Sequence, residues 1–398
     1  MTRRAIVALT AALALGAGSG WAKTETADAV QPGPTDLRLS GSGEWRLARE
    51  WALSNPDSPY VQAHARWPER YPLTPNRWSS QLQLKGDARQ ALGDAGSGTA
   101  LMAHADGQGT LLHDDAQGAT LRSGRVNELY LGGELGGWQL SGGRRIVAWD
   151  VGYAFRPNDV VQREVRRPLM PTTPQGRGLL QLEHLGDDRA TSLVAVEPQR
   201  GLASTQFAAR QFLRLGALDA YLHADNQIGG PTSLGSAFAW VASDELELHG
   251  ATRALPHPGA LAAAGSAADG AGRHQTLLGA SWTGGAERWL SEVTLLGEAW
   301  YDGSTTANAT AAATAAQRRN VYLRASTRWE AWGGTWEPAL DALLQPSDGG
   351  RTVGAGLRWQ GARWRVEAAW RHATGPASSL IAQSPQRHSG ALWATLPF

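Results

Sequence analysis

The sequence predicts an all-β fold, a transmembrane antiparallel β-barrel of about eighteen strands, with sixteen as the alternative. Three observations carry this. Strand-length segments alternate apolar and polar residues at period two, tight turns alternate with long connections, and many of the 18 Trp lie near segment ends. With 48 Gly, no Cys and 18% charged residues among 398, the chain is neither a disulfide-stapled domain nor a strongly charged disordered one. After residue 22 no stretch approaches the roughly 20 apolar residues a helix needs to cross hydrocarbon.

At the start of the chain, Arg3 and Arg4 precede an apolar run from Ala5 to Leu15. Gly20-Trp21-Ala22 then places small residues at both positions that a signal peptidase reads. Residues 1–22 are therefore expected to be a cleaved export signal, with a buried N-terminal helix as the alternative. Residues 23–398 then form a single barrel domain with long external loops. Segments near 36–51, 76–87 and 97–104 are the first strand candidates. All three give eighteen strands; one alone gives sixteen.

Alternation is clearest in the last third. Val321, Leu323, Ala325, Thr327 and Trp329 share one face, against Tyr322, Arg324, Ser326, Arg328 and Glu330. Next, Trp336, Leu340, Ala342 and Leu344 oppose Glu337, Asp341 and Gln345. Val353, Ala355, Leu357 and Trp359 oppose Thr352, Gly354, Gly356 and Arg358, and Trp364, Val366, Ala368 and Trp370 oppose Arg365, Glu367, Ala369 and Arg371. Periodicity does not say which face is inside. Trp at strand ends, small residues in strand middles and dense Arg and Glu on the polar face assign that face to the interior of a membrane barrel.

Short turns are expected at Gly136-Gly137, Gly186-Asp187-Asp188, Ser243-Asp244, Gly284-Gly285, Gly333-Gly334 and Gln360-Gly361. Long connections, among them 149–177, 255–272, 303–316 and 374–386, lie between. This is the alternation of short periplasmic turns with long external loops. The Ala- and Gly-rich stretches 258–272 and 303–316 read as external loops.

The final segment, Ala391 to Phe398, puts Leu392, Ala394, Leu396 and Phe398 on one face. A last strand ending in an aromatic resembles the signal by which Gram-negative outer-membrane barrels are recognised for assembly, although Pro397 is unusual as the penultimate residue. The resemblance implies an outer-membrane location, lipid surroundings and contact with the barrel-assembly machinery through Phe398. Earlier, the run from Val126 to Trp149 resembles a hairpin of porin-like families, including the alginate-export group. Glu128 and Tyr130 match an acidic-aromatic first element, and Gly143, Arg144 and Trp149 match a Gly-Arg second element. Arg145 replaces a Gln-like position, and Asp150 stands where Gly is usual. The likeness covers about 30 residues and implies a porin or exporter.

After this hairpin, Asp150, Arg156, Asp159, Arg163, Glu164, Arg166, Arg167 and Arg177 share a connection that also contains Pro157, Pro168, Pro171 and Pro174. Such a loop can fold into the lumen as a constriction, where fixed Arg and carboxylates select solutes by charge-assisted hydrogen bonds. Internal salt bridges or solvent exposure are the bland alternative. The candidate lumen residues are thus Arg144, Arg145, Arg156, Asp159, Arg163, Arg166 and Arg167, with Arg324, Arg328, Arg358, Arg365 and Arg371 from the strands. Glu330, Glu337, Asp341 and Glu367 are their possible counter-charges.

Lys occurs only at Lys23 and Lys85, and with Arg3 and Arg4 removed the formal charge lies within one unit of zero. There is no global field for nucleic acid. No metal or other cofactor is expected, because the ten His lack ligand spacing and no Cys is present. The Gly runs lack the strand-to-helix context of a nucleotide loop. An enzyme is not expected; a hydrolase needs a convergent nucleophile and base that the sequence does not indicate. The leading expectation is a passive outer-membrane channel or exporter for a polar solute or polymer, anionic ones included, through an Arg-lined lumen. The alternatives are a closed barrel with an assembly, adhesion or structural role and a soluble periplasmic β-protein. Trimeric and monomeric barrels share this strand pattern.

Overall fold

Period-two alternation demands that one face of every strand be sheltered, and a sheet closed on itself does this without leaving an edge. The computed structural model describes residues 37–73, 76–92, 98–162, 167–198, 205–228, 232–255, 273–285, 292–303 and 319–398. The export-signal segment, the stretches 258–272 and 304–316, and Arg163, Glu164 and Arg166 lie outside the described residues.

Eighteen strands follow in chain order: β1 (Leu37–Ser54), β2 (Asn76–Ala91), β3 (Ala100–Asp114), β4 (Ala119–Leu135), β5 (Trp138–Arg145), β6 (Arg177–Leu185), β7 (Arg189–Val196), β8 (Gln206–Leu215) and β9 (Leu218–Gln227) form the first half. The second half comprises β10 (Thr232–Val241), β11 (Leu246–Leu255), β12 (Arg273–Gly284), β13 (Glu292–Asp302), β14 (Arg319–Ala331), β15 (Gly334–Gln345), β16 (Gly350–Gln360), β17 (Arg365–Thr374) and β18 (Gln386–Pro397). A helix, α1 (Pro59–Arg66), lies between β1 and β2. Each strand pairs antiparallel with its sequence neighbours, and β1 pairs with β18 to close the ring. The expected count of eighteen holds. Segments 36–51, 76–87 and 97–104 underlie β1 to β3, which extend several residues beyond the expected bounds.

The turns after β4, β6, β8, β14 and β16 are short and share one rim; Gly136, Gly137, Gly216 and Gly333 there have φ of +54°, +84°, +65° and +70°. At the opposite rim lie the connection carrying α1, the 146–176 connection and residues 375–385. In barrels of the bacterial outer membrane the longer connections lie on the external side, and the second rim is called external below in that sense.

The faces are as the alternation requires. Leu323, Leu340, Val353, Leu357 and Trp370 point outward and are 40% to 62% exposed, whereas Tyr322, Glu367 and Trp393 point inward and are buried. Apolar outside and polar inside is the inverse of a soluble barrel.

Candidate functional site

β5 stops at Arg145 and β6 begins at Arg177, and the described residues between them, 146–162 and 167–176, turn into the barrel. Proline at 157, 168, 171 and 174 denies this segment a continuous ladder. Its apolar residues need burial, and the inner wall supplies it. Val147, Trp149, Val160 and Val161 pack with the inward-facing Leu179, Val194, Val196 and Ala208 of β6 to β8. Phe155 stacks on Trp300 of β13 with centroids 5.3 Å apart and, with Val151, packs on Leu277 of β12. Met170 reaches Ala48, Ala391 and Trp393 on β1 and β18.

A segment inside a barrel must also satisfy its backbone polar groups. Wall side chains and backbone do this at several strands, and side-chain pairs add further ties. Glu298 of β13 accepts the N–H groups of Tyr153 (2.6 Å) and Ala154 (2.7 Å). On β8, Gln206 donates to the Val160 carbonyl (3.1 Å), and on β1 Arg46 donates to the Pro171 carbonyl (2.8 Å). Arg125 of β4 donates to the Thr173 carbonyl, Thr173 Oγ1 donates to Gln83 of β2, and Gly176 N donates to the Asn127 carbonyl. Arg167, at φ 56°, donates to Asp341 of β15 (2.6 Å) and Thr352 of β16 (3.1 Å), with its guanidinium over the Tyr322 ring of β14. β15 stands directly opposite β6 in the ring of eighteen. The described residues on either side of 163–166 thus meet facing parts of the wall, Val160 at Gln206 of β8 and Arg167 at Asp341 of β15.

Carboxylates also organise the segment internally. Asp159 accepts the N–H groups of Trp149 (2.8 Å) and Asp150 (3.2 Å), and Asp150 accepts those of Val151 (2.9 Å) and Asn158 (2.5 Å). Burial pushes the Asp150 carboxyl up to about 6, overriding the opposing pull of those two hydrogen bonds. Burial likewise raises the Tyr153 hydroxyl.

The residues singled out from the sequence divide into groups. Arg156 bonds the Gly152 carbonyl and lies 3.6 Å from Asp159, so both serve the segment's own shape. Arg145 faces inward over the Tyr130 ring and bonds Ser141. Arg144 does not face the lumen: its register puts it on the outward side with Leu140 and Leu180, and its guanidinium bonds the Gly176 carbonyl. Adjacent strand residues point to opposite faces, so Arg144 and Arg145 cannot both line the interior. Arg358 bonds Glu367 (2.9 Å) and Glu337 (3.1 Å), and Arg365 bonds Glu367 (2.9 Å). Arg324 and Arg328 stand opposite Asp341 and Glu292 without an ion pair among the described residues. Arg371 likewise has none, and its Nε lacks a partner.

Several inward contacts escape sequence reading. His249 of β11 lies 3.0 Å from Glu298, Arg253 bonds Asp225 of β9, and Arg210 of β8 lies over the Trp149 ring. Each is a polar residue at an inward position of an alternating strand, which the pattern places but does not pair.

No family profile matches the chain, and neither does any curated protein. The alginate-export likeness therefore rests on the hairpin alone. Among solved structures, the chain is similar to OccK5 (OpdH) of Pseudomonas aeruginosa, at 12% identity over 90% of this chain and 98% of that one, with a TM-score of 0.54. A triple mutant of Rhodopseudomonas blastica porin is a further match, at 12% identity over 91% and 100% of the two chains, with a TM-score of 0.46. The likeness to OccK5 extends over nearly the whole of both chains, and what it establishes is a shared barrel fold.

Proposed function

We propose that the protein is a passive channel of the Gram-negative outer membrane, narrowed by residues 146–176 and tuned by inward arginines to polar solutes, anions among them. The observation that carries this is the placement of the described residues 146–162 and 167–176 inside a barrel whose outer face is apolar. Fixed charge then acts at close quarters on whatever passes. Arg358, Arg365 and Arg167 are neutralised by carboxylates, whereas Arg324, Arg328 and Arg371 have no ion-pair partner among the described residues. These three outnumber Glu292 and Glu330, the inward carboxylates beside them that also have no ion pair among the described residues, and this excess supports a preference for anions.

On this reading residues 1–22 direct export and Phe398 contributes to recognition by the assembly machinery. The hairpin that resembles the alginate-export group has a definite job here. Glu128 accepts the N–H of Ile146 (2.8 Å), and Gly143, whose added Cβ would overlap the Leu129 carbonyl, brings β5 close to β4. Together they launch the chain inward. Transport of a polymer, as that likeness implies, is a narrower form of the same proposal.

Purified protein in planar bilayers should show discrete conductance steps with a reversal potential displaced toward anions. Silent bilayers, with no swelling of liposomes in sugars or small anions, would overturn the channel. A second reading, a closed barrel, draws support from the anchoring of 146–176 around the whole wall. Removing residues 150–173 separates the two: a narrowed pore gains conductance, whereas a barrel serving only as a docking structure loses partner binding.

A further inference from the structure

The outer face of the barrel carries a charge pattern that pore function does not require. Among the described strands, no Asp or Glu occupies the outward register, while Glu50, Asp106, Glu298, Asp341 and Glu367 all stand on the inward one. The outward register does hold bases: Arg49, Arg122, Arg319, Arg351, His372 and His388 lie within a few residues of the external rim. Their neighbours fix the assignment. Arg49 pairs with exposed Trp78, Arg122 with exposed Leu111, and His388 with exposed Leu53. Arg189 and His184, near the short-turn rim, are the exceptions to the location but not to the sign.

A charge on a lipid-facing wall carries a desolvation cost that shrinks toward the interface. A wall that accepts Arg and His at one edge while excluding every carboxylate is complementary to anions at that edge. Arg122, Arg319 and Arg351 have no carboxylate partner among the described residues, in contrast to Arg49, which bonds Asp115. Two local arrangements show how an anionic lipid fits. On β16 to β18 the His372 and His388 rings stack at 4.4 Å, Trp370 lies beside both at about 6 Å, and Arg351 stands one diagonal step away. On β1 to β4 an outward depression of about 500 Å³ is lined by Trp45, Leu82 and Leu111, has Gly109 and Gly124 in its floor, and carries Arg122 toward its external end. Open space lies above both glycines. That combination seats an acyl chain with its headgroup at a guanidinium.

We propose that the external edge of the outer wall binds phosphate-bearing membrane lipids, with phosphate at Arg122 and at the Arg351–His372–His388 cluster and acyl chain in the Gly-floored groove. A free inorganic anion does not account for an apolar groove running from the base toward the middle of the wall. The proposal rests on the barrel being embedded in a membrane and does not require that it conduct.

The test uses full-length protein in detergent with diphosphoryl lipid A, and with the same lipid stripped of its phosphates, read by native mass spectrometry. Diphosphoryl lipid should be retained about tenfold better than the stripped form. A variant combining Arg122→Gln, Arg351→Gln, His372→Gln and His388→Gln, checked for folding by heat-modifiable gel mobility, should lose most of that preference. Equal retention of the two lipids by the unaltered protein overturns the proposal without recourse to a variant. Undiminished preference in the folded variant overturns it as well, as does displacement of the lipid by millimolar inorganic phosphate. Conductance of the same preparations is recorded separately, so failure of the pore and failure of lipid binding are distinguishable.

Discussion

Glu298 and His249 lie 3.0 Å apart with both side chains wholly buried between the wall and the inward segment. Because Glu298 also accepts two backbone N–H groups from Tyr153 and Ala154, this carboxylate holds the segment at its far turn. Glu298→Ala removes three acceptor interactions and strands their donors in a buried place. The segment should lose about 3 kcal/mol of local stability. Single channels of this variant should be noisier and larger, and protease should nick residues 150–160 faster; unchanged traces and unchanged cleavage would mean that Glu298 is not the anchor.

Arg167 and Asp341 form the anchor on the opposite wall. Arg167→Ala leaves Asp341 facing the lumen without its main partner, so one positive charge is lost and one negative charge released. Anion preference should fall by a factor of two or more, and the segment should lose about 1–3 kcal/mol. Reversal potentials under a salt gradient measure the first effect. Adding Asp341→Ala should restore part of the selectivity, because it removes the released carboxylate.

Arg371 lies on the inner face without an ion-pair partner among the described residues. Arg371→Gln is therefore expected to shift the reversal potential toward cations, more strongly than Arg358→Gln, whose charge already answers to Glu367 and Glu337. The comparison should be made at low ionic strength, since screening compresses the difference. An equal shift in both variants would argue that pairing does not set selectivity.

Asp150 gives the segment a pH dependence with a definite sign. Its carboxyl is raised in the folded chain to about 6 from an ordinary value of 3.8, so between those values the folded form holds a proton that the unfolded form has lost. Stability of the segment falls as pH rises through that window, and the penalty, at most about 3 kcal/mol, remains in full above it. Protonation also removes a negative charge from the lumen, so anion preference should increase between pH 7 and pH 5. Asp150→Asn should flatten this response; a response of undiminished size would show that Asp150 is not its source.

The barrel's seam offers a test of closure. Gly43 and Phe398 exchange two backbone hydrogen bonds, and the Phe398 ring covers the space that a Cβ at Gly43 would take. Gly43→Val should displace the ring and lower the yield of heat-modifiable, folded barrel by several-fold, with Gly43→Ala milder. Comparable yields from all three proteins would remove any role for this contact in closure.

Strand number, face assignment and most turn positions were legible because a two-residue period and tight turns are local properties; at Gly284-Gly285, where a tight turn was expected, β12 runs through Gly284 and β13 begins only at Glu292. Tyr322, Arg358 and Glu367 fall on the inward face as their alternation requires. The inward course of 146–176 was only one option, because its direction depends on wall residues far away in sequence: Tyr153 meets Glu298 across 145 positions and Arg167 meets Asp341 across 174. Pairing was similarly hidden. Alternation puts Arg365 and Glu367 on one face, but their sharing of a carboxylate with Arg358 depends on strand register. Arg144 is the converse case: the hairpin resemblance marked it for the lumen, whereas its parity with Leu140, which the sequence itself carries, puts it on the outward face.

The route of the 146–176 segment has a mechanical consequence. A ring of eighteen strands is held by ladder bonds along its circumference, which resist stretching around the ring but do little to oppose flattening across it. A chain tied to Glu298 and Asp341 at one side, and to Arg46, Gln83 and Asn127 at another, braces that cross-section from within as a strut does a thin-walled tube. On the proposed membrane setting, lateral pressure from the bilayer would be borne partly by the same residues that fill the barrel's interior.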